Sequence, residues 1–377
     1  MTSRVGAVVT PEDTMTRLAP WIAALTAFVL TATAAGAQEA PALARLTGAD
    51  KTPLQKLIAA AVKEGQVVYL DTVIQPATND TLSEAFRKYY ALPPAFKVNY
   101  TTMTPGNVIT RLEQEMRANR ITVDVGAVAS PPWAFARVKE GRIMAYDSPE
   151  YAAYAKSFAL GLGKPPYFAF NGAYFFVPMW NAETLKFTGT SWKDLLGVAP
   201  SGRLSTTDPT VSDSALMTYI GLRTIIDLPF FEEVAKLKPV LLYKSEIIAS
   251  RLISGEDLLA MYGMPTRAYQ FNQRGARLQV MSPKEGVVLL PQVMFILQDC
   301  PHPAAAKLWL DFILSEQGQT ILAEREALIS GRSGFVSPIP DVVPSIDTVK
   351  TIAINWDAIT PDSMQKARAE WAGVFKR

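Results

Sequence analysis

Leu54, Leu57, Ile58 and Ala61, then Gly65, then Gln66-Val67-Val68-Tyr69-Leu70: this stretch sets the pattern of the chain. Apolar residues at helical spacing are stopped by a glycine, and a short apolar run follows that reads as a buried strand. The pattern repeats downstream. Thr78 or Asn79 can cap a helix that carries Leu82, Ala85 and Phe86 on one face. Phe96-Lys97-Val98-Asn99-Tyr100 reads as a second strand, and Pro105-Gly106-Asn107 opens a third helix with Val108, Leu112 and Met116 inward. Val123 to Val128 is a third strand, followed by a helix from Trp133 to Glu140. Strands alternating with helices over short loops predict an α/β fold, with a mainly parallel sheet covered on both faces.

The middle of the chain restarts the pattern. Tyr174-Phe175-Phe176-Val177-Pro178 reads as one strand, and Ser191 to Leu196 as a capped helical turn. Thr207-Asp208-Pro209-Thr210 leads into a helix from about Ser212. Val287 to Leu297 is a long strand-like run, and Pro303–Leu314 and Glu316–Arg325 are amphipathic helices. Pro361 to Phe375 reads as a last amphipathic helix, with Met364, Ala367, Trp371 and Phe375 on one side. Two α/β units without a low-complexity linker predict two lobes joined by more than one chain crossing.

The N-terminus reads as an export signal. Arg17 gives a basic start, Trp21 to Ala35 an apolar run, and Ala35-Gly36-Ala37 the small residues that a signal peptidase accepts. The run is shorter than the ~20 residues that a membrane span needs. Cleavage is expected after Ala37, with Met15 as an alternative start, and no cysteine follows for lipid anchoring. The protein is thus expected to be exported. Removing residues 1–37 of the 377 leaves 340, too many for one typical core.

Composition excludes several classes. A formal charge of +2 without a Lys/Arg block argues against nucleic acid as a partner. One cysteine, Cys300, allows no internal disulfide, so the exported chain must rely on its core. One histidine, His302, argues against a histidine-built zinc site and against Ser-His-Asp hydrolysis. No nucleophile elbow, phosphate loop or dinucleotide fingerprint is present. The chain is expected to be no enzyme and to need no cofactor or metal.

The order of segments resembles the family-1 extracellular solute-binding proteins, in the ferric-type branch of ABC importers, over about residues 60 to 340. Gly65 to Tyr69 resembles the family's opening strand. Val123-Asp124-Val125 with Glu140-Gly141-Arg142-Ile143 resembles its "ADV…EGLL" segment. Asn181 with Ser191-Trp192-Lys193-Asp194-Leu195 resembles "YN…SWKDLL". Asp208 to Ser214 resembles the "DPxxSGS" turn, and Ala304 to Gln319 the "AAKLFIDFLLSxEGQ" helix. The resemblance implies a two-lobed (type II) periplasmic binding protein, each lobe a mainly parallel sheet flanked by helices, with a hinge of two crossings. These fall near Phe170–Ala173 and Val287–Pro291. Lobe 1 would span 45–171 and 287–340, lobe 2 172–286, and a tail, 341–377, would pack on lobe 2. The implied partners of this monomer are a small solute and ABC permease subunits.

Ligands of open α/β sheets lie beyond the carboxyl ends of strands, near helix N-termini. That rule selects Tyr69 and Asp71 after the first strand, Thr102 and Thr104 after the second, and Ser130 and Trp133 after the third. In the second lobe it selects Thr210, Ser212 and Asp213. The hydroxyls suit an anion or are ordinary helix caps; Trp133 stacks on a ligand or belongs to the core. Asp213 stands where the family usually has glycine, and it either pairs with a ligand ammonium or serves the helix dipole. The ferric branch uses an adjacent tyrosine pair as iron ligands, and the resemblance puts Pro265-Thr266 at that position. Tyr262 with Asp71 is a thin donor set for a hard ferric ion. Arg267, in the same loop, could clamp an anion with two hydrogen bonds. The leading expectation is therefore a small organic anionic or zwitterionic solute, with ferric or other metal transport and a periplasmic enzyme as alternatives.

Overall fold

The computed structural model describes residues 39–198, 201–340 and 342–375; the export-signal expectation lies outside them. Helix α1 (Lys51–Glu64) ends on Gly65, whose φ of 72° suits a residue without a Cβ. Then come β1 (Gln66–Asp71), α2 (Pro76–Tyr89), β2 (Lys97–Thr102), α3 (Pro105–Arg117), β3 (Val125–Val128) and α4 (Pro131–Lys139). A short α5 (Ala155–Ala159) precedes β4 (Phe168–Tyr174) and β5 (Val177–Asn181). The middle region adds β6 (Leu204–Thr207), α6 (Asp213–Leu222), α7 (Leu228–Lys236), β7 (Val240–Leu242) and α8 (Ser245–Ser254). After β8 (Leu259–Gly263), α9 (Pro265–Asn272) and β9 (Leu278–Val280), the chain returns through β10 (Leu290–Ile296), α10 (Pro303–Leu314) and α11 (Glu316–Glu326). Helix α12 (Pro361–Val374) ends the fold.

The strands form two five-stranded sheets, ordered β2-β1-β3-β10-β4 and β7-β6-β8-β5-β9. One strand in each sheet runs against the rest. β10 is antiparallel to β3 and β4, and β5 is antiparallel to β8 and β9. These are the two strands by which the chain enters each lobe from the other. The remaining strands end toward the cleft, so a strand entering from the cleft has to point away from it. Strands β3, β5, β8 and β10 are buried throughout, and so is β4 at the sheet edge, while the opposite edge strand β2 is mostly exposed, as expected for sheets covered on both faces.

Three local expectations are corrected. The apolar run at Tyr174–Pro178 is not one strand: β4 pairs with β10 up to Tyr174, and β5 begins at Val177 in the other sheet. The crossing therefore falls at Phe175–Phe176, past the expected Phe170–Ala173. Helix α2 starts at Pro76 with Gln75 before it, because a proline at the first helical position outweighs a cap by Thr78 or Asn79. The tail does more than pack on the second lobe. Lys139 of α4 pairs with Asp357 at 2.7 Å and Lys156 with Asp347 at 3.2 Å on the first-lobe side. Val287 in the return crossing bridges to Thr351. Only then does α12 bury Trp371 against Tyr219 of α6 at 5.2 Å between ring centroids. The tail is a third connection between the lobes.

Candidate functional site

The carboxyl ends of the strands face one another across the cleft, and two helix N-termini meet there. A cavity of about 650 Å³ is lined by Thr104, Pro105 and Gly106 from α3, by Ser212, Asp213 and Ser214 from α6, and by the end of β7 through Lys244. Thr104 is the residue before α3, but its side chain makes no cap hydrogen bond. Pro105 has no N–H, and a Cβ built on Gly106 meets nothing within 4 Å. The positive end of α3 is thus left open toward the cavity. At α6 the Ser212 hydroxyl accepts from Ala215 N–H at 3.3 Å, and Asp213 is the first helical residue. Lys244 is exposed, with Nζ 5.6 Å from the centre of the Tyr243 ring.

A second cavity, about 490 Å³, lies beside the first, under the tail. Ser130 and Trp133 line it from α4, Met364 and Arg368 from α12, and Asp213 belongs to both walls. The Trp133 indole N–H donates to Glu113 at 2.8 Å. Its ring lies 5.7 Å from the Arg137 guanidinium and 5.5 Å from Phe295. Trp133 is therefore held in place by protein groups, while its half-buried side chain still lines the cavity.

The other expected residues separate clearly. Tyr69 and Asp71 are fully buried. Asp71 accepts from the Tyr69 hydroxyl at 2.5 Å, from Asn171 at 3.1 Å and from the backbone N–H groups of Val73 and Ile74 at 2.6 and 2.7 Å. Burial, then the Asp71 charge, pushes the Tyr69 phenol well above its ordinary range. These two residues build the first-lobe loop and present no surface to the cleft. Tyr262 is likewise core, flanked by Phe176 and Trp371 with its hydroxyl unpartnered, and burial pushes its phenol well up. Thr102 is exposed at the end of edge strand β2, outside both cavities. Thr210 donates its N–H to Asp208 at 2.9 Å, shaping the turn before α6. Arg267 is committed within its own lobe: Gln270 accepts from it at 2.5 Å and Glu246 pairs with it at 2.7 Å.

Three residues where the lobes meet were missed from the sequence. Tyr174, at the hinge, shares a 2.7 Å hydrogen bond with Ser214 across the lobes. Burial pushes its phenol up to about 12, opposed by that bond. Lys244 obeys the strand-end rule, but β7 is three residues long beside Pro239 and gave no strand pattern. Arg368 donates to Asp213 from α12, a pairing across 155 residues that no local pattern announces.

A family model of the bacterial extracellular solute-binding proteins matches residues 120–360, more than half of the chain. The chain belongs to that family. No curated protein sequence matches this solute-binding protein, but solved structures agree in fold. The substrate-binding protein of an ABC transporter from Agrobacterium tumefaciens aligns with a TM-score of 0.70 at 14% identity, over 82% of this chain and 94% of that one. Iron-bound HitA from Pseudomonas aeruginosa aligns at 0.64 and 16%, over 82% and 99%. AfuA from Actinobacillus pleuropneumoniae, with exogenous fructose-6-phosphate bound, aligns at 0.63 and 17%, over 82% and 98%. The solute-binding protein thus has the two-lobed periplasmic binding fold, with its cavities where the lobes meet.

Proposed function

We propose that this solute-binding protein captures a small organic anion or zwitterion in the interlobe cleft and hands it to an ABC permease. The observation that carries the reading is the 650 Å³ cavity, into which the open N-terminus of α3, the start of α6 and Lys244 converge. Backbone N–H groups at a helix start and a lysine together attract negative charge. The volume suits a metabolite-sized ligand, and the hinge allows the lobes to close on it. The carrier acts as a monomer in the periplasm, after export and cleavage behind Ala37, and performs no chemistry on its cargo.

The structural relatives include an iron-bound protein and one holding a sugar phosphate. Two features favour the organic anion. The neutral Tyr262 phenol sits in the core, and Pro265 and Thr266 are buried at the start of α9. Neither provides the anionic oxygen donors that ferric iron takes. Thermal-shift screening of residues 38–377 with organic phosphates and carboxylates is expected to find a ligand that raises the midpoint. Saturation at 100 times Kd adds about 2.7 kcal/mol. A response to ferric citrate alone, with none to organic anions, overturns the reading.

A further inference from the structure

We infer that Arg368, on the C-terminal helix, sets the sign of the charge that the cleft accepts, by neutralising Asp213. This rests on the anion reading above and names the residue that makes it workable. Asp213 stands in the wall of the 650 Å³ cavity, at the first position of α6. A bare carboxylate there opposes an anion twice: it repels the ligand, and it occupies the positive end of the helix that would otherwise attract it. Its side chain is 27% exposed, so its charge reaches the cavity.

The guanidinium of Arg368 meets that carboxylate from the other side. Asp213 is its only hydrogen-bond partner among the described residues. A guanidinium carries five N–H donors, and the side chain is 28% exposed along the wall of the second cavity. The ion pair therefore stands at the boundary of the two cavities with donors to spare. An arriving anion meets a neutral pair whose positive partner has a free edge.

The position of Arg368 is fixed by core packing. Trp371 lies three residues on along α12, hence on the neighbouring face of the helix, and is fully buried. Glu370 accepts from the Tyr219 hydroxyl at 2.5 Å and from Arg223 at 3.0 Å. The tail thus completes the ligand site from outside both sheets, which gives its long path across the lobes a role in recognition.

The test uses the full mature chain and isothermal titration with inorganic phosphate and with a hexose phosphate. Arg368→Gln is expected to weaken whichever anion the wild type binds by about tenfold, which is 1.4 kcal/mol. Arg368→Lys should keep most of the affinity. The double variant Asp213→Asn with Arg368→Gln should recover to within about threefold of wild type, because the repelling charge has gone with its counter-charge. Thermal midpoints within a few degrees of wild type establish that each variant is folded, and should Arg368→Gln alone fail to fold, the double variant decides. Unchanged binding by Arg368→Gln, or a loss that Asp213→Asn does not repair, overturns the inference while leaving the anion reading standing. A wild-type chain that binds no anion removes both.

Discussion

Asp71 ends strand β1 and Asp213 begins helix α6, one in each lobe, yet the two carboxylates at these strand-to-helix turns do different work. Asp71 is fully buried and accepts from four donors, two of them backbone N–H groups of the loop it closes. Asp213 is partly exposed in a cavity wall and is met by a single arginine from the tail. Polar residues at strand ends are thus of two kinds. One kind satisfies the backbone of the loop that follows and is consumed in doing so; the other keeps capacity to spare and faces the cleft.

The largest effect that tests this contrast is on stability. Asp71→Ala strips the acceptor from Tyr69, Asn171 and two loop N–H groups, all buried except the part-buried Val73 N–H. Each buried donor left unpaired costs about 1–3 kcal/mol, and four lose their acceptor, so the expected total loss is at least roughly 4 kcal/mol, measured by urea unfolding. A loss below ~1 kcal/mol would mean that water reaches these donors, and Asp71 would then belong with Asp213 as a cleft residue.

The sequence made the fold readable where the determinants are local. Gly65 ends α1 through its left-handed backbone, and Ser212 starts α6 through its hydroxyl. Chain order gave the lobes, because strands alternating with helices admit few arrangements. The crossing at Phe175–Phe176 was hidden because two buried strands in series read as one apolar run. The site was less legible. Thr104, Ser212 and Asp213 reach one cavity, and Ser130 and Trp133 the next, as the strand-end rule expects. That rule, however, cannot separate Asp71 from Asp213, since the burial of a carboxylate depends on which donors the folded chain brings to it. Arg368 and Tyr174 owe their places to tertiary docking alone.

A second measurement extends the contrast to pH. Asp311, in α10 of the first lobe, is another buried carboxylate. Burial pushes its pKa up to about 7, although Ser148 and Tyr146 donate to it at 2.6 Å each. The unfolded value is ~3.9, so between these limits the native state holds a proton that the unfolded state has released. The stability from this group is complete below pH ~4 and is lost as the pH rises through about 7. Across that window the wild type is expected to lose stability relative to Asp311→Asn, followed by urea midpoints at several pH values. A constant difference between the two proteins would show that the carboxyl is solvated after all.

The smallest effect concerns the open side of the comparison. Ser212 accepts one N–H, from Ala215 at 3.3 Å, and stands half-buried at the cavity wall. Removing such a cap costs about 1 kcal/mol, well under the loss expected at Asp71, because water in the cleft can take over the bond. Ser212→Ala should therefore lower the unfolding free energy by ~1 kcal/mol. It should also weaken the bound anion, since the hydroxyl that shapes the α6 terminus has gone. A stability loss as large as that of Asp71→Ala would show that the α6 terminus is as dry and as fully consumed as the first-lobe loop, and the cavity between the lobes would lose its claim on the ligand.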